Sequence, residues 1–156
     1  MQFNLADLFE SLADAFPDRL AVVSGDMQIT YGQLDERATR LANHWASQGV
    51  KAGQHLGLYL YNGHQYLECM LAAWKLRAVT INCNYRYVAE ELRYVFDNAD
   101  LVGCIYEPEL EAEVKAAWLP HFAVMAAASA PLGSPPPAGF MQFQKKVWFQ
   151  ICAALL

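Results

Sequence analysis

Polar residues that could contact a small ligand follow two short apolar runs that are typical of buried strands, at 55–60 and 79–82. The carboxyl ends of parallel strands are the places where α/β proteins bind ligands. Asparagines at such places are also common as turn residues and helix caps, so a purely structural role stays open for two of these residues. The candidates for a ligand or cofactor site are Asn62, His64, Asn84 and Arg86.

A second group of residues, rich in tyrosine and arginine, surrounds the later candidates. Tyr85, Tyr87 and Tyr94 together with Arg86 and Arg93 could stack a base, or could form an aromatic edge of the core. The acidic pair 90–91 could be read as an acid/base pair, but adjacent helical residues point in different directions. Negative charge at a helix start, where it meets the positive end of the dipole, is the favoured interpretation.

Histidines and cysteines form no recognisable catalytic or metal-binding pattern. The four histidines are spread over different predicted elements, and the four cysteines include no CxxC pair. Free buried thiols in a reducing compartment are therefore expected. The sequence also lacks GxGxxG, GxxxxGK[ST], HExxH and GxSxG motifs. We predict no catalytic residue and no metal ligand.

The first predicted elements are a helix, a hairpin and a second helix. Apolar residues recur at three- and four-residue steps over 5–16, after Asn4 as a plausible N-cap. Strands at 20–24 and 27–30 flank a Gly-Asp turn. Thr30 and Gln33 fit a capping box that begins the second helix. The face predicted to point inward on this second helix consists of Leu34, Ala38, Leu41 and Trp45.

From about residue 50 the pattern alternates between strand and helix. Strands are predicted at 55–60, 79–82 and 101–106, with a helix at 88–98 and another helix after 64. Such alternation indicates parallel strands with right-handed crossovers. The fold class is therefore α/β, a partial layered fold of mostly parallel β-α-β units. The inner face predicted for the helix after 64 consists of Leu67, Met70, Leu71 and Trp74.

Composition divides the chain into unlike parts. The 156 residues carry a net charge of −5, but all sixteen acidic residues lie at or before Glu113 and only lysines follow. We predict a folded segment at 1–119, an Ala/Pro-rich linker at 120–139 where the prolines argue against a continuing sheet, and a divergent hydrophobic tail at 140–156. The tail could be an interfacial helix or an adventitious apolar segment. The acidic balance argues against nucleic-acid binding, and no apolar run is long enough for a transmembrane span.

Residues 5–106 resemble the start of the AMP-forming acyl-CoA synthetases, the adenylate-forming superfamily. The resemblance is carried by ITYGQL at 29–34, GVKAG at 49–53, AVTIN at 78–82 and NYRYVAEELRY at 84–94. The last of these is similar to the fatty-acid and medium-chain ligase branch. One departure is Leu76-Arg77, where many members of the family place a glycine. The resemblance implies the N-terminal part of the large domain of these enzymes.

The resemblance also implies a chemistry, in which a carboxylic or fatty acid reacts with ATP and then with CoA to give acyl-CoA, AMP and pyrophosphate. ATP, Mg²⁺ and CoA are implied for the full-length family and no cofactor for the isolated chain. The family's phosphate loop, adenine-binding segment and catalytic lysine have no counterpart in this sequence, so the chain is expected to be inactive alone. Alternatives are an acyl- or nucleotide-binding module, or an interaction module that self-associates or pairs with a separately encoded remainder. A cytoplasmic location is expected.

Overall fold

The structure is a computed structural model, and it describes residues 4–122 and 124–127. Its helices are α1 Leu5–Ala15, α2 Tyr31–Ser47, α3 His64–Lys75, α4 Ala89–Asn98 and α5 Glu111–Ala117, with a 3₁₀ turn at Pro108–Leu110. Its strands are β1 Leu20–Ser24, β2 Met27–Thr30, β3 His55–Tyr59, β4 Val79–Asn82, β5 Leu101–Tyr106 and β6 Val124–Ala127.

The two predicted helix starts are confirmed by their hydrogen bonds. The Asn4 side chain accepts from the Ala6 N–H at 2.7 Å, and the Asp7 carboxylate accepts from the Asn4 N–H at 3.2 Å. The Thr30 hydroxyl accepts from the Gln33 N–H at 3.3 Å, and the Gln33 side chain accepts in return at 3.0 Å. Each box satisfies N–H groups that a helix start otherwise leaves without partners.

The parallel sheet predicted from the alternation is present, with the strand order β4-β3-β5-β6. All its described pairings are parallel. Side chains alternate between two cores, as the period of a strand requires. Leu56 and Leu58 of β3 join the core under α2 and α3, whereas Tyr59 joins the core under α4 and α5. The antiparallel hairpin β1–β2 forms a separate sheet.

The expectation that the sheet ends before residue 120 is wrong for four residues. Strand β6 at Val124–Ala127 lies inside the range assigned to a linker, and pairs with β5 from Gly103 to Tyr106. A strand of four residues is too short to show a periodic signal of its own. It is stabilised by its backbone pairing with β5, which the sequence does not reveal. Of the other linker residues, 120–122 are described and form no strand or helix, whereas 123, 128–139 and the predicted tail lie outside the described residues.

Two predicted inner faces differ from the structure. Leu67 of α3 is 41% exposed, while Glu68 beside it is buried. On α1 the contacts with the rest of the fold involve small residues such as Ala6 and Ala13, and the leucines of the apolar face remain exposed. The inner face predicted for α2 is confirmed, since all four of its residues are buried. No helix within the described residues is long and apolar enough to cross a membrane.

Candidate functional site

The four sequence candidates lie where predicted, at the carboxyl ends of β3 and β4, but they do not converge on one point. Asn84 is exposed, and its side-chain oxygen accepts from the Arg86 N–H at 3.0 Å. This bond folds the chain into an Asx turn, so the structural role left open for Asn84 is the one observed. Asn62 is exposed and lines a groove, whereas His64 is turned away into the protein.

Aromatic and basic side chains join the ends of the two strands. The rings of Tyr61 and Tyr85 meet edge to face with their centroids 5.2 Å apart. The Arg86 guanidinium lies over the Tyr85 ring, 5.4 Å from its centroid. An exposed guanidinium held on an aromatic face is a suitable contact for a phosphate or for a stacked base. We call Tyr61, Tyr85 and Arg86 the strand-end shelf.

The strand-end shelf contains only two residues, Tyr85 and Arg86, of the tyrosine- and arginine-rich group predicted from the sequence. Tyr87 packs against the core under α4, and its carbonyl accepts from the Tyr59 hydroxyl at 2.6 Å. The Arg93 guanidinium donates instead to the carbonyl of Ala116 at 2.8 Å. Tyr61 was missed because it follows β3, 24 positions earlier in the sequence than Tyr85. Only the parallel pairing of β3 with β4 brings the two tyrosines together.

His64 contacts an ion pair rather than a ligand site. Its Nδ1 lies 2.8 Å from Glu68 Oε1, and the Nε of Arg37 on α2 donates to the same oxygen at 2.8 Å. The Glu68 side chain is only 2% exposed. The arrangement ties α3 to α2 through a desolvated carboxylate. Sequence reasoning missed Glu68, because its burial depends on Arg37, a partner on another helix.

Asn62 lines a shallow groove between the hairpin and the start of α3. The groove has a volume of about 360 Å³ and also contains Ser24 and Gly63, besides four largely apolar side chains. Those four are Val22, Val23, Tyr66 and Leu67. Ser24 and Asn62 could orient a polar group at this position, and the rest of the lining suits an apolar one.

Glu107, a buried residue that follows β5, joins the carboxyl ends of β3 and β5. The Glu107 N–H donates to the Tyr59 carbonyl at 3.1 Å, and Glu107 Oε1 accepts from the Tyr61 N–H at 3.3 Å. The residue thereby extends the β3–β5 pairing past the last strand residue and holds Tyr61 in place for its contact with Tyr85. Sequence reasoning did not single out Glu107, because its role depends on a pairing with a distant strand.

The three cysteines in the described part of the chain are free and buried, as expected. Burial raises the pKa of Cys83 to about 12, and it raises the pKa values of Cys69 and Cys104 as well. These thiols are therefore neutral and unreactive at pH 7. Within residues 4–122 and 124–127, no group of three or more His, Cys, Asp or Glu side chains could hold a metal ion.

Comparison with known proteins places this geometry in a family. The chain is 48% identical over 107 residues to a 3-oxocholest-4-en-26-oate–CoA ligase of Rhodococcus rhodochrous, covering 69% of this chain and 19% of that protein. It is 49% identical over 104 residues to a medium/long-chain-fatty-acid–CoA/3-oxocholest-4-en-26-oate–CoA ligase of Mycobacterium marinum, covering 67% and 19%. The chain thus spans about a fifth of the length of these curated relatives.

The fold agrees with that of solved enzymes. A benzoate CoA ligase from Burkholderia xenovorans LB400 superposes with a TM-score of 0.75 at 23% identity, covering 84% of this chain and 27% of that one. At this identity the likeness establishes the shared fold. The AMP-binding enzyme family matches residues 9–135, well over half of the sequence. The chain therefore belongs to the AMP-binding enzyme family and is a fragment related to its acyl-CoA ligases.

Proposed function

We propose that this chain supplies the N-terminal scaffold of an AMP-forming acyl-CoA ligase acting on a carboxylic or fatty acid, and that it does not catalyse the reaction alone. The observation that carries the proposal is its span, 19% of the curated ligases that it matches at 48–49% identity. The position of His64 also supports the absence of catalysis by the chain alone. Its Nδ1 contacts Glu68 within the same helix, so this imidazole nitrogen is engaged in a contact inside the protein.

The family reaction needs ATP, Mg²⁺ and CoA, and the described residues do not fit that whole set. A magnesium ion requires several oxygen ligands in octahedral geometry. The buried carboxylates of Glu68 and Glu107 are already engaged with Arg37 and with the Tyr61 backbone.

Exchange of labelled pyrophosphate into ATP tests the proposal directly. The purified chain is assayed with medium- and long-chain fatty acids, and the full-length Rhodococcus relative serves as the positive control. We expect exchange by the chain to stay at the level of a reaction without protein. Acid-dependent exchange by the chain alone would show that the proposal is wrong.

A second candidate function is binding of an acyl or nucleotide group without turnover, at the edge that holds Asn62, Asn84 and Arg86. The observation in its favour is the strand-end shelf, where Arg86 lies exposed over Tyr85. Calorimetry with AMP, CoA and an acyl-CoA measures the affinity, which should fall on Arg86→Gln. The matched control is Arg19→Gln, because Arg19 also lies over an aromatic ring, that of Phe16, at 6.0 Å. Absence of heat at millimolar ligand removes this candidate.

We also propose that the chain works in the cytoplasm and pairs either with itself or with a separately encoded remainder of a ligase. The sheet supports such pairing, because among residues 4–122 and 124–127 the strands β4 and β6 are the outer ones, and outer strands present backbone groups for pairing. Light scattering of the purified chain distinguishes these states. A monomer at all concentrations, with no complex formed on co-expression with the remaining part of a relative, would contradict both forms of pairing.

A further inference from the structure

The bend between β3 and α3 contains an asparagine followed by a glycine, Asn62 and Gly63. Asn62 is exposed, and none of the other five asparagines in the sequence precedes a glycine. The backbone nitrogen that follows an asparagine can attack the carbonyl carbon of the asparagine side chain, and glycine hinders this approach least because it has no β-carbon. The sequence therefore favours loss of the side-chain amide at Asn62 over loss at the other asparagines.

The structure leaves both reacting groups of this dipeptide available. Gly63 is the N-cap of α3, and its N–H donates to no group among residues 4–122 and 124–127. Within the same described residues, the Asn62 side chain takes part in no hydrogen bond, and it lines the groove beside β1. A backbone N–H that is already free reacts without a preceding local opening of the fold. The attack is therefore open to the folded chain.

Each of the other five asparagines has one of the two groups engaged. In Asn4 and Asn84 the side-chain oxygen accepts from a backbone N–H, at 2.7 and 3.0 Å. After Asn82 and Asn98 the next backbone N–H donates to a carbonyl, at 2.9 and 3.0 Å. Asn43 lies inside α2, where the following N–H belongs to the helical hydrogen bonds. The fold and the sequence thus single out the same asparagine.

We propose that Asn62 and Gly63 form a self-modification site, at which the folded chain loses an asparagine amide with water as the co-reactant. The Gly63 nitrogen forms a bond to the side-chain carbonyl carbon of Asn62. The bond from that carbon to Nδ2 breaks, and the departing nitrogen takes up the proton of the Gly63 amide and leaves as ammonia. Water then opens the resulting succinimide ring. Opening at the side-chain carbonyl gives aspartate, opening at the main-chain carbonyl gives isoaspartate, and nothing is oxidised or reduced.

The two products change the edge of the sheet in different ways. Aspartate places a negative charge in the wall of the groove, directly before the N-cap of α3, whose first turn contains no acidic residue. There the charge meets the positive end of the helix dipole. Isoaspartate adds a carbon to the backbone between β3 and α3, next to Tyr61, whose N–H donates to Glu107 at 3.3 Å. The reaction therefore alters either the charge of the groove or the position of the strand-end shelf.

Incubation of the purified chain in buffer, followed by tryptic digestion and mass spectrometry, measures the reaction. The tryptic peptide 52–75 contains Asn62, and the peptide 94–115 contains Asn98. A methyltransferase specific for isoaspartate, supplied with labelled S-adenosylmethionine, distinguishes isoaspartate from aspartate. We expect Asn62 to be the first asparagine converted and both products to form.

Two variants separate the effect of the fold from that of the dipeptide. Ala99→Gly creates an asparagine–glycine pair at Asn98, which is also exposed but is followed by an engaged N–H. In the folded variant, Asn62 should react at least about tenfold faster than Asn98, because position 99 must first open locally. In urea the two sites should react at similar rates. Gly63→Ala should slow conversion of Asn62 about tenfold through the added β-carbon, which would meet the flexible end of the Gln65 side chain.

Any of three results overturns the proposal. Asn62 that stays unchanged in the folded chain, whether or not it converts in urea, would show that the fold blocks the attack. Equal rates at Asn62 and Asn98 in the folded Ala99→Gly variant would show that the structure does not select the site. Conversion of Asn62 at an unaltered rate in Gly63→Ala would mean that the reaction does not proceed through attack by the backbone nitrogen at position 63.

Discussion

Replacing Glu68 by glutamine removes one charge from a pair of ions that the fold has taken out of water. The side chains of Arg37 and Glu68 are 10% and 2% exposed, and the Nε to Oε1 distance is 2.8 Å. Loss of one partner leaves a guanidinium without its counter-charge, which costs about 3 to 5 kcal/mol in buried pairs. Glutamine can still accept a hydrogen bond from Arg37, so we expect the lower end, about 3 kcal/mol.

Urea unfolding followed by tryptophan fluorescence provides the measurement, because Trp45 is buried in the core under α2 and α3. The full cycle contains Glu68→Leu, Arg37→Met and the double variant Arg37→Met/Glu68→Leu, and Glu68→Gln is measured beside it. The double variant should cost much less than the two single variants together, since apolar residues of similar volume replace buried ion pairs at little cost. We expect a coupling free energy of about 2 kcal/mol or more.

A matched substitution nearby serves as the control. Glu36→Gln removes the carboxylate that contacts Arg40 on the same helix, in a pair whose side chains are 38% and 53% exposed. Exposed pairs at this spacing contribute about 0.3 to 0.5 kcal/mol, so the effect should be near the limit of measurement. If Glu68→Gln costs no more than Glu36→Gln, or if the costs in the Glu68 cycle simply add, the pair is not desolvated and the reasoning fails.

Three further substitutions probe strain, titration and close packing. Arg77 has a φ of +58°, so Arg77→Gly should be more stable than Arg77→Ala by about 1 kcal/mol in urea unfolding; both lose the Asp7 contact, and only glycine adopts this backbone without cost. Equal stability would contradict this reasoning. Burial lowers the pKa of His44 below 6.5, so the folded state binds fewer protons and stability should fall as pH drops below about 6.5. His44→Gln should flatten that slope in pH-dependent thermal unfolding, and an unchanged slope would assign it to other groups. A β-carbon on Gly57 would lie 2.8 Å from Leu101 Cδ1, so Gly57→Ala should lower the free energy of unfolding by about 1 to 3 kcal/mol. The control is Gly25→Ala, whose β-carbon would meet no atom within 4 Å and which reports only the cost of its positive φ. A smaller penalty at Gly57 than at Gly25 would count against the close approach.

Local signals account for most of what could be predicted about the fold. The N-cap at Asn4, the capping box at Thr30 and the turn at Gly25 are decided by neighbours in sequence, and each was predicted from residue type and spacing. Strand β5 was predicted at its observed bounds because its apolar run is continuous. The parallel direction of the strands was predicted from their alternation with helices, because a helix between two strands returns the chain to the same end of the sheet.

The features that sequence reasoning missed all depend on distant partners. Glu68 is buried because Arg37 lies opposite it on another helix, and periodicity cannot report a charge that is neutralised across 31 positions. Tyr61 and Tyr85 meet only because β3 and β4 are neighbours. Strand β6 exists because β5 offers an edge for pairing. The predicted site residues follow β3 and β4 as expected, and their role as a site stays a prediction, while the contacts among their neighbours could come only from the three-dimensional structure.

The strand order has a consequence for how the chain can fold as it is synthesised. β4 pairs with β3, β5 pairs with the other side of β3, and β6 pairs with β5, so every later strand joins one that has already been made. The first parallel pair needs no residue beyond Asn82. The sheet can therefore assemble in the order of translation, outward from β3, with each crossover helix covering a face soon after it leaves the ribosome. After β5 has paired with β3, the next strand adds on the β5 side of the sheet. Sheet formation therefore does not depend on the last residues to be synthesised.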